Sequence, residues 1–89
     1  MSEPYEVLAK VVSQQGTCKA GHKVRDEFVL GLKSPSGLCL SALNSIYPPV
    51  RVLRFGGSYP WQSDPDVWEA TACPDANNPV VFELRTLRK

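Results

Sequence analysis

The stretch VWEATACPDANNPVVFELRTLR, residues 67–88, decides the fold. Val67 to Cys73 reads as one strand and Val80 to Arg88 as another. Between them Pro74-Asp75-Ala76-Asn77-Asn78-Pro79 is turn chemistry from end to end. Asn and Asp bond their own backbone two residues on, and proline cannot donate to a ladder. The two strands therefore form an antiparallel hairpin.

Working outward, Tyr5, Val7, Ala9 and Val11 alternate with Glu6, Leu8 and Lys10, so Tyr5 to Val12 is a half-buried strand. A second runs from Glu27 to Lys33, with Phe28, Leu30 and Leu32 on one face and Glu27, Val29 and Gly31 on the other. Between these two, SQQGTCKAGHKV at 13–24 is polar and glycine-bearing, a loop that exposes its side chains. After the second strand Ser34-Pro35-Ser36-Gly37 breaks the pattern. Ser36 is placed to cap a helix whose Leu38, Cys39, Ala42, Leu43 and Ile46 share a face. Pro48 ends that helix at Tyr47, because the residue before a proline is disfavoured in the α conformation. Pro48 and Pro49 can open a second short helix that turns Val50, Leu53 and Phe55 inward and Arg51 and Arg54 outward. A strand over 50–55 is the alternative. The order is β-β-α-(α)-β-β: an α+β fold with a small, mainly antiparallel four-stranded sheet and one or two short helices packed on one face.

An 89-residue chain has room for one domain, 1–89, with one small core. Its 43% hydrophobic and 21% charged content sets aside disordered and fibrous classes. A net charge of +1 with scattered basic residues argues against nucleic acid and against a membrane surface as partners. No apolar run is long enough to span a bilayer, and MSEPYEVLAK has no secretory pattern. Three cysteines, an odd number at irregular spacing, do not form a secreted disulfide framework, and the expected location is the cytoplasm.

Several motifs occur in one order: GHKVRDEF at 21–28, LCLSAL at 38–43, IYP at 46–48, LRFGGSYPW at 53–61, DPD at 64–66, and CPD at 73–75 followed by NPVVFEL. Together they resemble an uncharacterised family of small bacterial and archaeal proteins, with the similarity running from about Cys18 to Leu84. The resemblance implies relatives and no activity. In one position the chain departs from the family pattern: where that pattern reads Gly-His-Lys-Val-Gly-Asp, Arg25 replaces the second glycine. If that position needs a positive φ, arginine is strained there.

Cys18, His22, Cys39 and Cys73 supply three thiols and one imidazole, the number and type of ligands that a closed site for zinc or another transition metal uses. Against this, Cys39 and Cys73 lack the Cys-x-x-Cys pairing of zinc knuckles. Without a ligand, Cys39 on the apolar helix face is a small buried hydrophobe, Cys73 closes a strand, and His22 is solvated. A thiol-based enzyme is the reading that trails: with Ser36 as cap, Cys39 falls at the third helical position, where free amides favour a thiolate, and His22 is the sole candidate base.

LRFGGSYPWQSDPDVWEATACPD, residues 53–75, concentrates aromatic residues, glycines and prolines. Tyr59, Trp61 and Trp68, flanked by Arg51 and Arg54, suit a surface for a protein partner or self-association, or they complete the core. Asp64 and Asp66 frame Pro65 as a turn, bind a cation, or pair with Arg51 and Arg54. No phosphate-loop or dinucleotide spacing is present. The sequence thus points to a small cytoplasmic binding domain that holds a metal through its Cys and His residues. The rival is an accessory subunit or interaction module whose cysteines only pack.

Overall fold

The computed structural model describes residues 4–87. Four strands, β1 (Glu6–Gln14), β2 (Glu27–Leu30), β3 (Val67–Ala72) and β4 (Val80–Leu87), and one helix, α1 (Leu40–Arg54), follow in the order β1-β2-α1-β3-β4. The sheet order is β2-β1-β4-β3, and every neighbouring pair is antiparallel. The fold is α+β, as the alternation and the turn chemistry predict.

The hairpin forms over the expected turn. Asp75 Oδ1 accepts from the amides of Asn77 (3.1 Å) and Asn78 (3.2 Å), and Cys73 N–H reaches Val80 O at 2.9 Å. Arg88, expected in the last strand, lies outside the described residues. Val7, Ala9 and Val11 of β1 and Val80, Phe82 and Leu84 of β4 are buried on one face, and α1 lies over it. Along the helix Ala42, Ile46, Pro49, Val50 and Leu53 are buried, which is the one-sided spacing of an amphipathic helix.

Three expectations about local structure are corrected. β2 stops at Leu30, and Leu32, expected inside, is 88% exposed. The reason is its partner: Val7 opposes Leu30, and β1 begins one residue earlier at Glu6, leaving no ladder for residues beyond Gly31. The helix starts at Leu40 with Cys39 as its N-cap residue, not Ser36. Gly37 adopts φ +86, which belongs to a turn and not to a first helical residue. And there is a single helix: it runs through Pro48 and Pro49 to Arg54. Two missing amide donors and the steric bias against α before proline disfavour this. Carrying Pro49, Val50 and Leu53 onto the sheet buries them and outweighs that local cost. Phe55, expected to pack inward, follows the last turn and is 58% exposed.

No helix among the described residues is long and apolar enough to cross a membrane.

Candidate functional site: a thiol-lined cleft and an aromatic loop

The chain leaves β1 with Gln15 N–H bonded to Pro79 O (3.0 Å) and Thr17 N–H to Asn78 Oδ1 (2.9 Å), so the loop after β1 is stitched to the β3–β4 turn. A turn closed by Gly21 N–H on Cys18 O (2.9 Å) then carries the chain to His22. His22 is only 5% exposed, which corrects the expectation of a solvated loop histidine. Its ring sits edge-on to Phe28 and Phe82, at centroid distances of 5.1 and 6.4 Å. Nε2 accepts the Cys39 backbone N–H at 3.0 Å, and an accepting Nε2 puts the ring proton on Nδ1.

That bond explains how the helix begins. Cys39 makes no side-chain cap bond and the first turn has no acidic residue. One of the amides that a helix leaves unpaired at its start is satisfied by an imidazole from a different part of the chain. Cys39 O then accepts from Leu43 N–H at 2.9 Å.

Around this junction lies a cleft of about 330 Å³, bordered by Cys18, His22, Cys39 and Cys73, with Lys19, Ser41 and Asp75 at its rim. The four side chains that the sequence offers as metal ligands thus meet on one cavity. All three thiols are free and half-buried. Two of the four ligating atoms are engaged with backbone: His22 Nε2 with Cys39 N–H, and Cys73 Sγ with Val80 N–H at 3.3 Å. No group of three or more His, Cys, Asp or Glu among the described residues is arranged to hold a metal ion.

For thiol catalysis the placement is unfavourable. Cys39 is the cap residue and not the third helical residue, and its side chain makes no hydrogen bond to the free amides of the first turn. The imidazole expected as its base is turned to its backbone instead.

Asp75 lies on the cleft rim, and its acidity is shifted. Its carboxylate accepts from the Asn78 side-chain amide (3.2 Å) and from the Asn77 and Asn78 backbone amides, which together hold its pKa below the ordinary carboxylate range, with Lys19 adding a smaller attraction.

The aromatic loop stands apart. Tyr59 stacks on Trp61 (centroids 5.0 Å, planes 19° apart) and touches Trp68 at 4.7 Å. Trp61 is 68% exposed. Trp68 Nε1 is buried and has no hydrogen-bond partner among the described residues. A hollow of about 110 Å³ opens between the two tryptophans. None of these residues borders the thiol cleft. The cleft lies at the start of α1 and the loop follows its end, about 22 Å along a helix of 15 residues.

Nothing in the sequence marks Gln62, yet it organises this loop. Its Oε1 accepts Tyr59 N–H at 2.6 Å, and its Nε2 donates to the carbonyls of Asp64 (3.1 Å), Pro65 (3.3 Å) and Val67 (2.9 Å). Asp64 closes a turn on Asp66 N–H at 2.9 Å, as Asp before proline suggests. The expected pairing of Arg51 and Arg54 with Asp64 or Asp66 is not made. Arg51 donates to Tyr47 OH (3.2 Å) and Arg54 to Tyr5 O (3.3 Å), and both guanidinium groups lie over Phe55. The exposed ring after the helix end holds both arginines there by cation–π attraction.

Comparison with protein-family models, with curated proteins and with solved structures yields no match.

Proposed function

We propose that the protein is a small binding domain whose site is the thiol-lined cleft, and that its ligand is a soft transition metal ion such as zinc. One observation carries the reading: all three cysteines and the single histidine of the chain, drawn from three separate stretches, border one cavity. Thiolate and imidazole are the donors that such ions prefer. Cys18, Cys39 and Cys73 are the first ligands. His22 joins them only by giving up its bond to Cys39 N–H, whereas Cys73 keeps the Val80 N–H bond, since a ligating thiolate still accepts an amide hydrogen. Free thiols fit a reducing compartment, the cytoplasm.

The test is a titration of the reduced protein with Co²⁺ and then Zn²⁺. Expected are one equivalent bound, thiolate charge-transfer absorption displaced by zinc, and loss of that absorption in Cys18→Ser, Cys39→Ser and Cys73→Ser. A protein that retains no metal, and whose thiols react with a disulfide reagent at the same rate with and without chelator, overturns the reading.

A second reading has its own observation. The exposed Trp61 stacked on Tyr59, beside an indole N–H with no partner, suits a protein-interaction module. It predicts a stoichiometric partner in native extracts that Trp61→Ala releases, with the thiols untouched.

A further inference from the structure

The sheet is four strands wide, but α1 packs mainly on β4, β3 and β1. Between the helix and the segment from Leu30 to Ser34, which ends and follows β2, runs a groove of about 280 Å³. Its floor is Leu30, Leu43 and Val50. Its far wall is the helical stripe Leu43, Tyr47, Val50, Arg51 and Arg54, and its near wall is the segment from Leu30 to Ser34. From Leu43 to Arg54 the stripe is about 16 Å long, the span of about five extended residues.

Two features say what fits there. Three cations, Lys33, Arg51 and Arg54, line the groove. None of them forms an ion pair among the described residues, where Arg85 pairs with Glu83 at 3.6 Å. The Glu6 carboxylate lies beside Gly31, but Val7 faces the helix, so Glu6 points from the opposite face of the sheet. The groove is therefore apolar below and positive along its rim. In addition, β2 ends the sheet on this side, and an edge strand presents a row of unpaired backbone donors and acceptors. A fatty acid would satisfy the charge and the floor. Only a polypeptide satisfies the backbone edge as well.

We infer that the groove between β2 and α1 takes an extended acidic segment of a partner protein, which continues the sheet along β2, sets an apolar side chain on Leu30, Leu43 and Val50, and lays carboxylates against Lys33, Arg51 and Arg54. Strand addition supplies affinity through main-chain bonds, and alternate side chains supply selectivity. This site is independent of the thiol cleft and needs no metal.

The experiment selects random hexapeptides displayed on phage against the intact protein. The expected consensus alternates Asp or Glu with Val, Leu, Ile or Phe. The synthesised consensus peptide should perturb the amide resonances of residues 28–33 and the side-chain Nε signals of Arg51 and Arg54. The double variant Lys33→Glu/Arg51→Glu should bind it at least about tenfold more weakly, with an unchanged circular dichroism spectrum. A peptide with its acids changed to Lys should then bind the double variant and not the parent, which a misfolded variant could not do. Failure to enrich any peptide, a basic or uncharged consensus, unchanged binding to the double variant, or perturbations elsewhere would each overturn the inference. So would self-association lost in the double variant, which gives the groove to a second copy, or the same perturbations produced by decanoate alone, which gives it to a fatty acid.

Discussion

Arg25 is the residue at which a single substitution should make this protein more stable. Its φ is +81, and it is the one non-glycine residue with positive φ among those described. It cannot relax, because its surroundings are bonded on all sides. Arg25 N–H meets Val11 O at 2.8 Å, Val11 N–H meets Asp26 O at 2.9 Å, and Asp26 N–H closes the turn on Lys23 O at 3.0 Å. The Asp26 carboxylate also accepts Lys23 N–H at 2.9 Å. Positive φ at the third residue of such a turn is the type II geometry that glycine fills without strain. An L-residue held there costs about 1–2 kcal/mol. Glycine returns that, less about 0.5–1 kcal/mol for the extra freedom it loses on folding. The exposed Arg25 side chain makes no hydrogen bond or ion pair among the described residues, so little else is lost. Arg25→Gly should therefore gain about 0.5–1 kcal/mol, a rise in Tm of about 3–6 °C in a domain of this size. Thermal and urea unfolding followed by circular dichroism would measure it across Arg25→Gly, Arg25→Asn and Arg25→Ala. The expected order is Gly, then Asn, then Ala close to the parent. If Ala gains as much as Gly, the arginine side chain and not the backbone carries the cost; if Gly lowers stability, the strain argument fails.

His22→Ala should cost about 2–4 kcal/mol, from the lost ring packing on Phe28 and Phe82 and from the unpaired Cys39 amide. Urea unfolding measures the loss, and faster amide exchange confined to the first turn of α1 would separate the lost bond from general loosening. Gly16→Ala should cost about 2 kcal/mol or more, because φ is +66 and a Cβ would meet Asn78 Oδ1, the acceptor for Thr17 N–H; an unfolding midpoint equal to the parent's would mean that Asn78 swings clear. Asp75 binds its proton less tightly when folded than when unfolded, so its contribution is present at neutral pH and is lost as the pH falls below the ordinary carboxylate range. Carboxyl NMR should find its midpoint below that of a free aspartate, moving back up in Asn78→Ala, and an ordinary midpoint in the parent would refute the role given to Asn78.

The strands were legible because alternation is a local signal: Val7, Ala9 and Val11 announce the face they bury. The cluster of candidate ligands was legible too, as a list of residue types, though not the cavity that unites them. Where local rules compete with burial, the sequence misleads. Pro48 reads as a stop, yet Pro49, Val50 and Leu53 bury a continuous stripe across it. His22 reads as a loop residue because its neighbours are polar, while the reason for its burial, the Cys39 amide, lies beyond the whole of β2. Gln62 carries no local signal at all, since an amide side chain that gathers four loop atoms looks the same as a solvated one. Leu32 reads as the inward end of a strand, but the length of β2 is set by where β1 begins.

β1 and β4, the first and last strands of the described chain, are hydrogen-bonded neighbours at the middle of the sheet. A nascent polypeptide cannot close that centre until β4 has cleared the ribosome, so β1 waits with its apolar row open while the remainder is translated. Contacts so distant along the chain slow the search for the native state, and the β3–β4 hairpin is the local piece that can form first and offer β1 a template. Synthesis in the presence of a chaperone that shields an extended apolar segment would protect this protein during the interval.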